Sequence, residues 1–158
     1  MLRCLLDAGA DPHSRGWLDN TALHGAAHTA QLATIQELLA RGLPCDATNA
    51  HGEHAIHLAA GAHSARGGEE DVRHVELLLE AGANIKKSRT NEGCTAAHYA
   101  AKVGEGLAHV HSEYKCNVNN VTQSGSVETL RLLLDAECPV TKVGRNAAMS
   151  PLELETKV

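Results

Sequence analysis

The 158-residue sequence is poor in aromatic side chains, since it contains no phenylalanine, one tryptophan and two tyrosines. Its hydrophobic residues make up 43% of the chain and are mainly alanine, leucine and valine. Small side chains of this kind fit between closely packed helices better than they fill a thick core between two β-sheets. The composition therefore favours a helical domain of ordinary size.

The sequence also lacks the cysteine spacing of a disulfide framework or a zinc ribbon. Its five cysteines are an odd number and form no C-x-x-C pair. We therefore expect reduced thiols in a cytosolic or nuclear protein. The first apolar run is too short for a signal peptide, and no run approaches the ~18 residues of a membrane helix. A net charge of −5 argues against a nucleic-acid partner.

Signatures of catalysis are missing as well. The sequence has no G-x-S-x-G, no P-loop and no glycine-rich dinucleotide turn. Cys94 and His98 are four residues apart, but a cysteine nucleophile also needs a residue that orients its base. We therefore expect no enzymatic activity, no catalytic residue and no cofactor.

Two alternating phrases recur along the chain. The first reads T-A-L-H-G-A-A at 21–27, H-A-I-H-L-A-A at 54–60 and T-A-A-H-Y-A-A at 95–101, with a weaker S-P-L-E at 150–153. The second reads L-L-D-A-G-A-D at 5–11, L-L-A-R-G at 38–42, L-L-E-A-G-A-N at 78–84 and L-L-D-A-E-C-P at 133–139. The first two copies of the first phrase are 33 residues apart. Together the phrases resemble the ankyrin repeat, whose period is about 33 residues.

The resemblance implies an all-α fold, an ankyrin-repeat α-solenoid that occupies residues 1–158 as one domain. The predicted units are a half-repeat at 1–16, full repeats at about 17–49, 50–89 and 90–146, and a half-repeat at 147–158. The predicted helix pairs are 21–30 with 32–41, 55–61 with 72–81, and 95–114 with 126–136. An array that begins halfway through a unit exposes an apolar face. We therefore expect the chain to be a monomer or part of a longer ankyrin array.

The second and third full repeats are longer than an ordinary unit. Between their two helices we predict insertions of about 7 residues, within 62–71, and about 21 residues, at 104–124. In the larger insertion an apolar stripe, Leu107, Val110 and Tyr114, follows helical spacing. We expect it to pack inward as a small knob on the rim of the array. Whether the 104–124 insertion has a role stays open.

Two positions depart from the family pattern where a glycine is expected. Asp19 stands before the first core phrase, and Glu137 follows the last leucine phrase in place of the left-handed glycine. A residue other than glycine in that conformation costs roughly 1 kcal/mol. The sequence therefore predicts a weaker C-terminal end.

Eleven histidines invite a metal hypothesis. His24, His57 and His98 occupy the histidine position of the repeat, where the ring is expected to hydrogen-bond backbone groups of neighbouring turns. His24 and His28 have a chelating spacing, but no H-E-x-x-H motif is present. His109, His111 and Cys116 form the better cluster, although a fourth ligand is not evident. We predict no metal, and a metal site in the 104–124 insertion stays a third alternative.

The resemblance also implies a binding surface formed by the turns between units and the outward positions of the first helices. The matching positions are Trp17, Leu18, Asn20, His28, Thr29, His51, Glu53, Asn91, Glu92 and Lys102. The Trp17 side chain either anchors a partner or folds back onto the preceding unit. We therefore predict a non-catalytic scaffold that binds another protein, of unknown identity, through this face, and neither a nucleic acid nor a membrane. The alternative is a regulatory segment of a larger multidomain enzyme or channel.

Overall fold

The computed structural model describes residues 2–62, 72–86, 90–91, 93–101 and 127–138. These ranges form α-helices and no β-strand beyond one isolated bridge between Thr48 and His54. The helices are α1 (Leu2–Asp7), α2 (Ala22–His28), α3 (Leu32–Ala40), α4 (Ala55–Gly61), α5 (Arg73–Glu80), α6 (Ala96–Ala101) and α7 (Val127–Asp135). A 3₁₀ turn, Trp17–Asp19, precedes α2. The all-α prediction is confirmed for this part of the chain.

The predicted helix pairs correspond closely to the observed helices. Four predicted helices, at 21–30, 32–41, 55–61 and 72–81, match α2 to α5, and the one at 126–136 matches α7. The helix predicted at 95–114 is described as α6 only as far as Ala101. Its continuation, the 104–124 insertion and the half-repeat at 147–158 lie outside the described residues. The number of repeats and their boundaries therefore stay predictions.

The helices pack as two rows. The first helices α2, α4 and α6 lie side by side, α3 packs on α5, and each pair also packs together, as α2 with α3, α4 with α5 and α6 with α7. Leucine and isoleucine fill the space between the rows, as Leu23, Ile35 and Leu78 show with 1% or less of their surface exposed. Buried alanines such as Ala27 and Ala97 let the first helices approach each other closely. The sparse aromatic content therefore suits this core.

Left-handed residues end the second helices. Gly42, Gly82 and Glu137 have φ values of 80°, 86° and 62°. At Gly82 the backbone N–H donates to Leu79 O, and the N–H of the next residue donates to Leu78 O, at 2.9 and 3.0 Å. These two bonds satisfy carbonyl groups that a helix end otherwise leaves open. The prediction that Glu137 occupies the glycine position is confirmed.

Polar contacts join consecutive units near these helix ends. Asp46 Oδ1 accepts a hydrogen bond from the backbone N–H of Asn84 at 3.0 Å. Lys86 forms an ion pair with Glu137, and this hydrogen-bonded pair lowers the pKa of Glu137 from its ordinary value. The side chain that replaces glycine at the last helix end thus contacts the preceding unit.

One further left-handed helix end, at Ala30, is not predicted by the sequence pattern. Ala30, between α2 and α3, has a φ of 50°, and the backbone N–H of Gln31 donates to Ala26 O at 3.0 Å. This is the same left-handed helix ending, here with an alanine whose Cβ is disfavoured in that conformation. Ala30 therefore joins Leu18, Asp19 and Glu137, the other described residues that have a positive φ without being glycine.

The ends of helices α4 and α5 are tied together by a histidine. His74 Nε2 lies 2.9 Å from Ala59 O, and 5% of the His74 residue surface is exposed. The bond joins the first turn of α5 to the last turn of α4. It therefore fixes the return of the chain after the predicted insertion within 62–71.

The cysteines differ in state. Cys4, Cys45 and Cys138 are free thiols, whereas Cys94 is disulfide-bonded. The expectation of reduced thiols is therefore wrong at Cys94. An odd count and the absence of C-x-x-C do not tell which cysteines the fold brings together.

Candidate protein-binding face

Three short turns precede the first helices, and we name them turn 1 (16–20), turn 2 (49–53) and turn 3 (90–94). In each, the first backbone N–H donates to the last carbonyl, at 2.9 Å in turn 1 and 3.0 Å in turns 2 and 3. The fourth residue is left-handed in every case, with φ values of 61° at Asp19, 72° at Gly52 and 82° at Gly93. The prediction that Asp19 replaces a turn glycine is confirmed.

The turns are connected to one another through the backbone. Ala50 N donates to Leu18 O, and Asn91 N donates to His51 O, both at 2.9 Å. The Arg15 guanidinium adds a bond from turn 1 to Thr48 O at 2.8 Å. These contacts hold the three turns in one continuous row.

Three histidines fix the starts of the first helices. The ring Nδ1 of each accepts the backbone N–H three residues earlier: His24 from Thr21 at 3.3 Å, His57 from His54 at 3.0 Å and His98 from Thr95 at 3.2 Å. For His24, Nε2 therefore carries the proton and donates to Glu53 O at 3.0 Å. Burial of the ring lowers the pKa of His24 from its ordinary value. The predicted link between neighbouring turns is confirmed at His24.

Glu53 does not lie on the surface. Only 2% of it is exposed, so the outward position expected from the resemblance is wrong. Its Oε1 accepts from the Tyr99 hydroxyl at 2.6 Å, and its Oε2 accepts from Asn49 Nδ2 at 2.7 Å. The pattern of the repeat did not reveal this burial because the covering side chains come from turn 2 and from helix α6.

Trp17 is an exposed residue of the predicted binding surface. Its side chain belongs to turn 1, and 76% of the residue is exposed. The indole therefore does not fold back onto the preceding unit, and that alternative is wrong. Its backbone carbonyl accepts from Asn20 N at 3.3 Å, within the hydrogen-bonded turn.

The remaining predicted residues divide into two groups. Leu18, Asn20, His51 and Asn91 lie on the row of turns, where Asn91 is exposed and the others are partly buried. His28 and Thr29 are exposed at the other end of α2, roughly 10 Å along the helix. Glu92 and Lys102 lie outside the described residues. The structure therefore brings the turn residues together and separates them from His28 and Thr29.

The described ranges offer neither a metal centre nor a membrane helix. No group of three or more histidine, cysteine, aspartate or glutamate side chains is placed there to hold an ion. None of the described helices is long and apolar enough to cross a bilayer. His109, His111 and Cys116, the cluster suggested by sequence, lie outside these ranges.

Comparison with known proteins agrees with the geometry of turns and helix pairs. The family model described as ankyrin repeat matches residues 51–91, which include the last three residues of turn 2 and the helices α4 and α5. Residues 51–91 therefore match an ankyrin repeat, as the recurring phrases predict. The chain is also similar to human protein fem-1 homolog A, with 36% identity over 89 residues, and to protein fem-1 homolog A of the rat, with 33% identity over 89 residues. These matches cover 56% of the chain but 13% and 14% of the respective relatives, so the chain spans a small part of their length.

Proposed function

We propose that this ankyrin array is a non-catalytic scaffold that binds a partner protein through the row of turns 1 to 3. The observation that carries the proposal is Trp17, which presents a 76% exposed indole on a turn with a fixed backbone. Tryptophan is enriched among residues that dominate binding energy at protein interfaces, because it buries a large rigid surface. An indole that is exposed to this extent buries further apolar surface when a partner covers it.

The rigidity of the turns supports the same function. Backbone hydrogen bonds within turn 1, and the bond from Ala50 N to Leu18 O, hold the main chain around Trp17. A surface that is already ordered loses little conformational entropy on association. The surface can therefore contribute more of its contact energy to affinity.

A second candidate is a regulatory segment of a larger multidomain protein, in which the partner surface belongs to the same polypeptide. The observation that favours it is the coverage of the relatives, since the match spans 13% of human fem-1 homolog A. Sequencing the complete transcript would distinguish the two, because additional domains favour intramolecular binding.

Affinity purification with immobilised wild-type protein and variants tests the proposal. We expect Trp17→Ala to lose specific partners, and Lys102→Glu to weaken their binding, while the helical circular dichroism signal is unchanged. Gln36→Ala serves as the control because Gln36 is exposed on α3, away from the turns. If Trp17→Ala and Lys102→Glu both capture the same proteins as wild type and Gln36→Ala, the partner site does not lie on this face.

A further inference from the structure

We propose that Glu53 is the positioning residue of the proposed binding face. Its buried carboxylate holds turn 2 between helix α6 and turn 1, and so fixes the turn from which Trp17 projects. The link to recognition rests on the proposed function. The positioning itself concerns only this chain and can be measured without a partner.

The carboxylate has a donor on each oxygen from a different part of the array. Tyr99 Oη, from α6, donates to Oε1 at 2.6 Å, and Asn49 Nδ2, from turn 2, donates to Oε2 at 2.7 Å. Only 2% of Glu53 is exposed. A buried carboxylate is costly unless strong donors replace its water, and hydrogen bonds to charged oxygens are stronger than neutral ones. This requirement keeps α6 and turn 2 in one relative position.

Asn49 extends the contact to turn 1. Its Nδ2 also donates to Asn20 Oδ1 at 2.9 Å, and its Oδ1 accepts the backbone N–H groups of His51 and Glu53, each at 3.0 Å. The amide cannot be reversed, because its oxygen is needed by two N–H donors. Asn20 N in turn donates to Trp17 O at 3.3 Å. A continuous chain of hydrogen bonds thus runs from Tyr99 to the backbone of Trp17.

A purely local role for Glu53 gives a different expectation. If the carboxylate only stabilises turn 2, removal of its donor on α6 should lower the overall stability but leave the mobility of Trp17 unchanged. If it positions the row of turns, loss of the Tyr99 hydroxyl should loosen Trp17, although Tyr99 belongs to a different unit. Charge is not required for positioning, since the amide of Glu53→Gln can accept from Asn49 and donate to the Tyr99 hydroxyl.

The experiment uses the one tryptophan of the chain as its reporter. Time-resolved fluorescence anisotropy of Trp17 would be measured for wild type, Tyr99→Phe, Glu53→Ala and Glu53→Gln, with the melting temperature of each. The matched control is His74→Leu, which removes the buried bond to Ala59 O at the helix ends away from the turns. We expect the residual anisotropy of Trp17 to fall in Tyr99→Phe and in Glu53→Ala, whereas Glu53→Gln should keep most of it. His74→Leu should have the anisotropy of wild type, although its melting temperature is lower.

The proposal is overturned if Tyr99→Phe leaves the Trp17 anisotropy at the value of His74→Leu. It is also overturned if Glu53→Gln loses as much anisotropy as Glu53→Ala, because then the carboxylate does not act through hydrogen-bond geometry. Should Glu53→Ala fail to fold, the milder Tyr99→Phe decides alone. Failure of the proposed function is seen separately, as partner capture that Trp17→Ala does not change.

Discussion

The imidazole of His24 and the main-chain carbonyl of Glu53 are joined by a 3.0 Å hydrogen bond. The ring also accepts from the backbone of Thr21, so a single neutral imidazole ties the start of α2 to the end of turn 2. A protonated ring cannot keep both bonds, since its Nδ1 would then carry a hydrogen that faces the Thr21 N–H. The junction between the first two units is therefore sensitive to acid.

We expect the free energy of unfolding to fall as the pH drops below about 6.5, the ordinary histidine pKa. Burial lowers the pKa of His24 in the folded state, and it also lowers that of His54. As the pH falls, the unfolded chain therefore binds protons before the folded chain does. The stability that the neutral rings contribute is complete above the ordinary histidine pKa, and it is lost as the pH falls to the lower pKa of the folded state. Urea unfolding at pH 7.5 and 5.5 measures the difference. His24→Gln should show a smaller change in the free energy of unfolding between the two pH values than wild type does. An equal change in the two proteins would contradict the assignment of this pH dependence to His24.

Gly82→Val should lower the free energy of unfolding by roughly 1–2 kcal/mol. No heavy atom lies within 4 Å of a Cβ built at Gly82, so the cost comes from its φ of 86° and not from a collision. Gly25→Ala is the matched control, because it also meets open space but lies inside helix α2 at an ordinary φ. Thermal melts should show a lower midpoint for Gly82→Val and an equal or higher one for Gly25→Ala. An unchanged Gly82→Val midpoint would refute the capping argument.

Gly52→Ala should destabilise the array more than Gly82→Ala does. Both glycines are left-handed, but a Cβ at Gly52 would lie 2.9 Å from the backbone nitrogen of Asn91. Turn 2 and turn 3 would have to separate, and overpacking of this kind typically costs about 1–3 kcal/mol. Chemical denaturation of both variants isolates the steric part, because the backbone strain is common to them. Equal losses of unfolding free energy in Gly52→Ala and Gly82→Ala would mean that turn 2 and turn 3 can move apart without cost.

Ala30→Gly should raise the free energy of unfolding by roughly 1 kcal/mol. The substitution relieves the left-handed strain of an alanine with a φ of 50° between α2 and α3. Ala33→Gly is the control, since Ala33 is exposed within α3 and glycine there weakens the helix. Differential scanning calorimetry should shift the two melting temperatures in opposite directions. A melting temperature of Ala30→Gly below that of wild type would show that the turn tolerates alanine without strain.

The repeating part of the fold could be predicted from the sequence because its signals are local. Leucine spacing located α3, α5 and α7, and the glycine that ends each of the first three leucine phrases located the left-handed helix ends. The same register correctly assigned Glu137 to a glycine position. Ala30 was missed because no second phrase marks the short turn between the helices of a unit.

The candidate face was less predictable because exposure depends on side chains from other units. The sequence left open whether Trp17 anchors a partner or folds back onto the preceding unit, and only the fold decides its exposure. Glu53 was placed outward by the pattern, although Tyr99, 46 residues away, covers it. A tyrosine in place of the leucine of the preceding core phrase was the available signal, since a buried hydroxyl needs a partner.

The bond between His74 and Ala59 O affects how well the segment between α4 and α5 tolerates a change in its length. It ties the His74 side chain in the first turn of α5 to the backbone of the last turn of α4, so the two ends of the intervening segment are held in place. The entropy of such closure rises only slowly with loop length, by about 0.6 kcal/mol for each doubling. We therefore expect the helix pair α4 and α5 to keep its packing when a foreign peptide, such as an epitope or a fluorescent reporter, is inserted between 62 and 72.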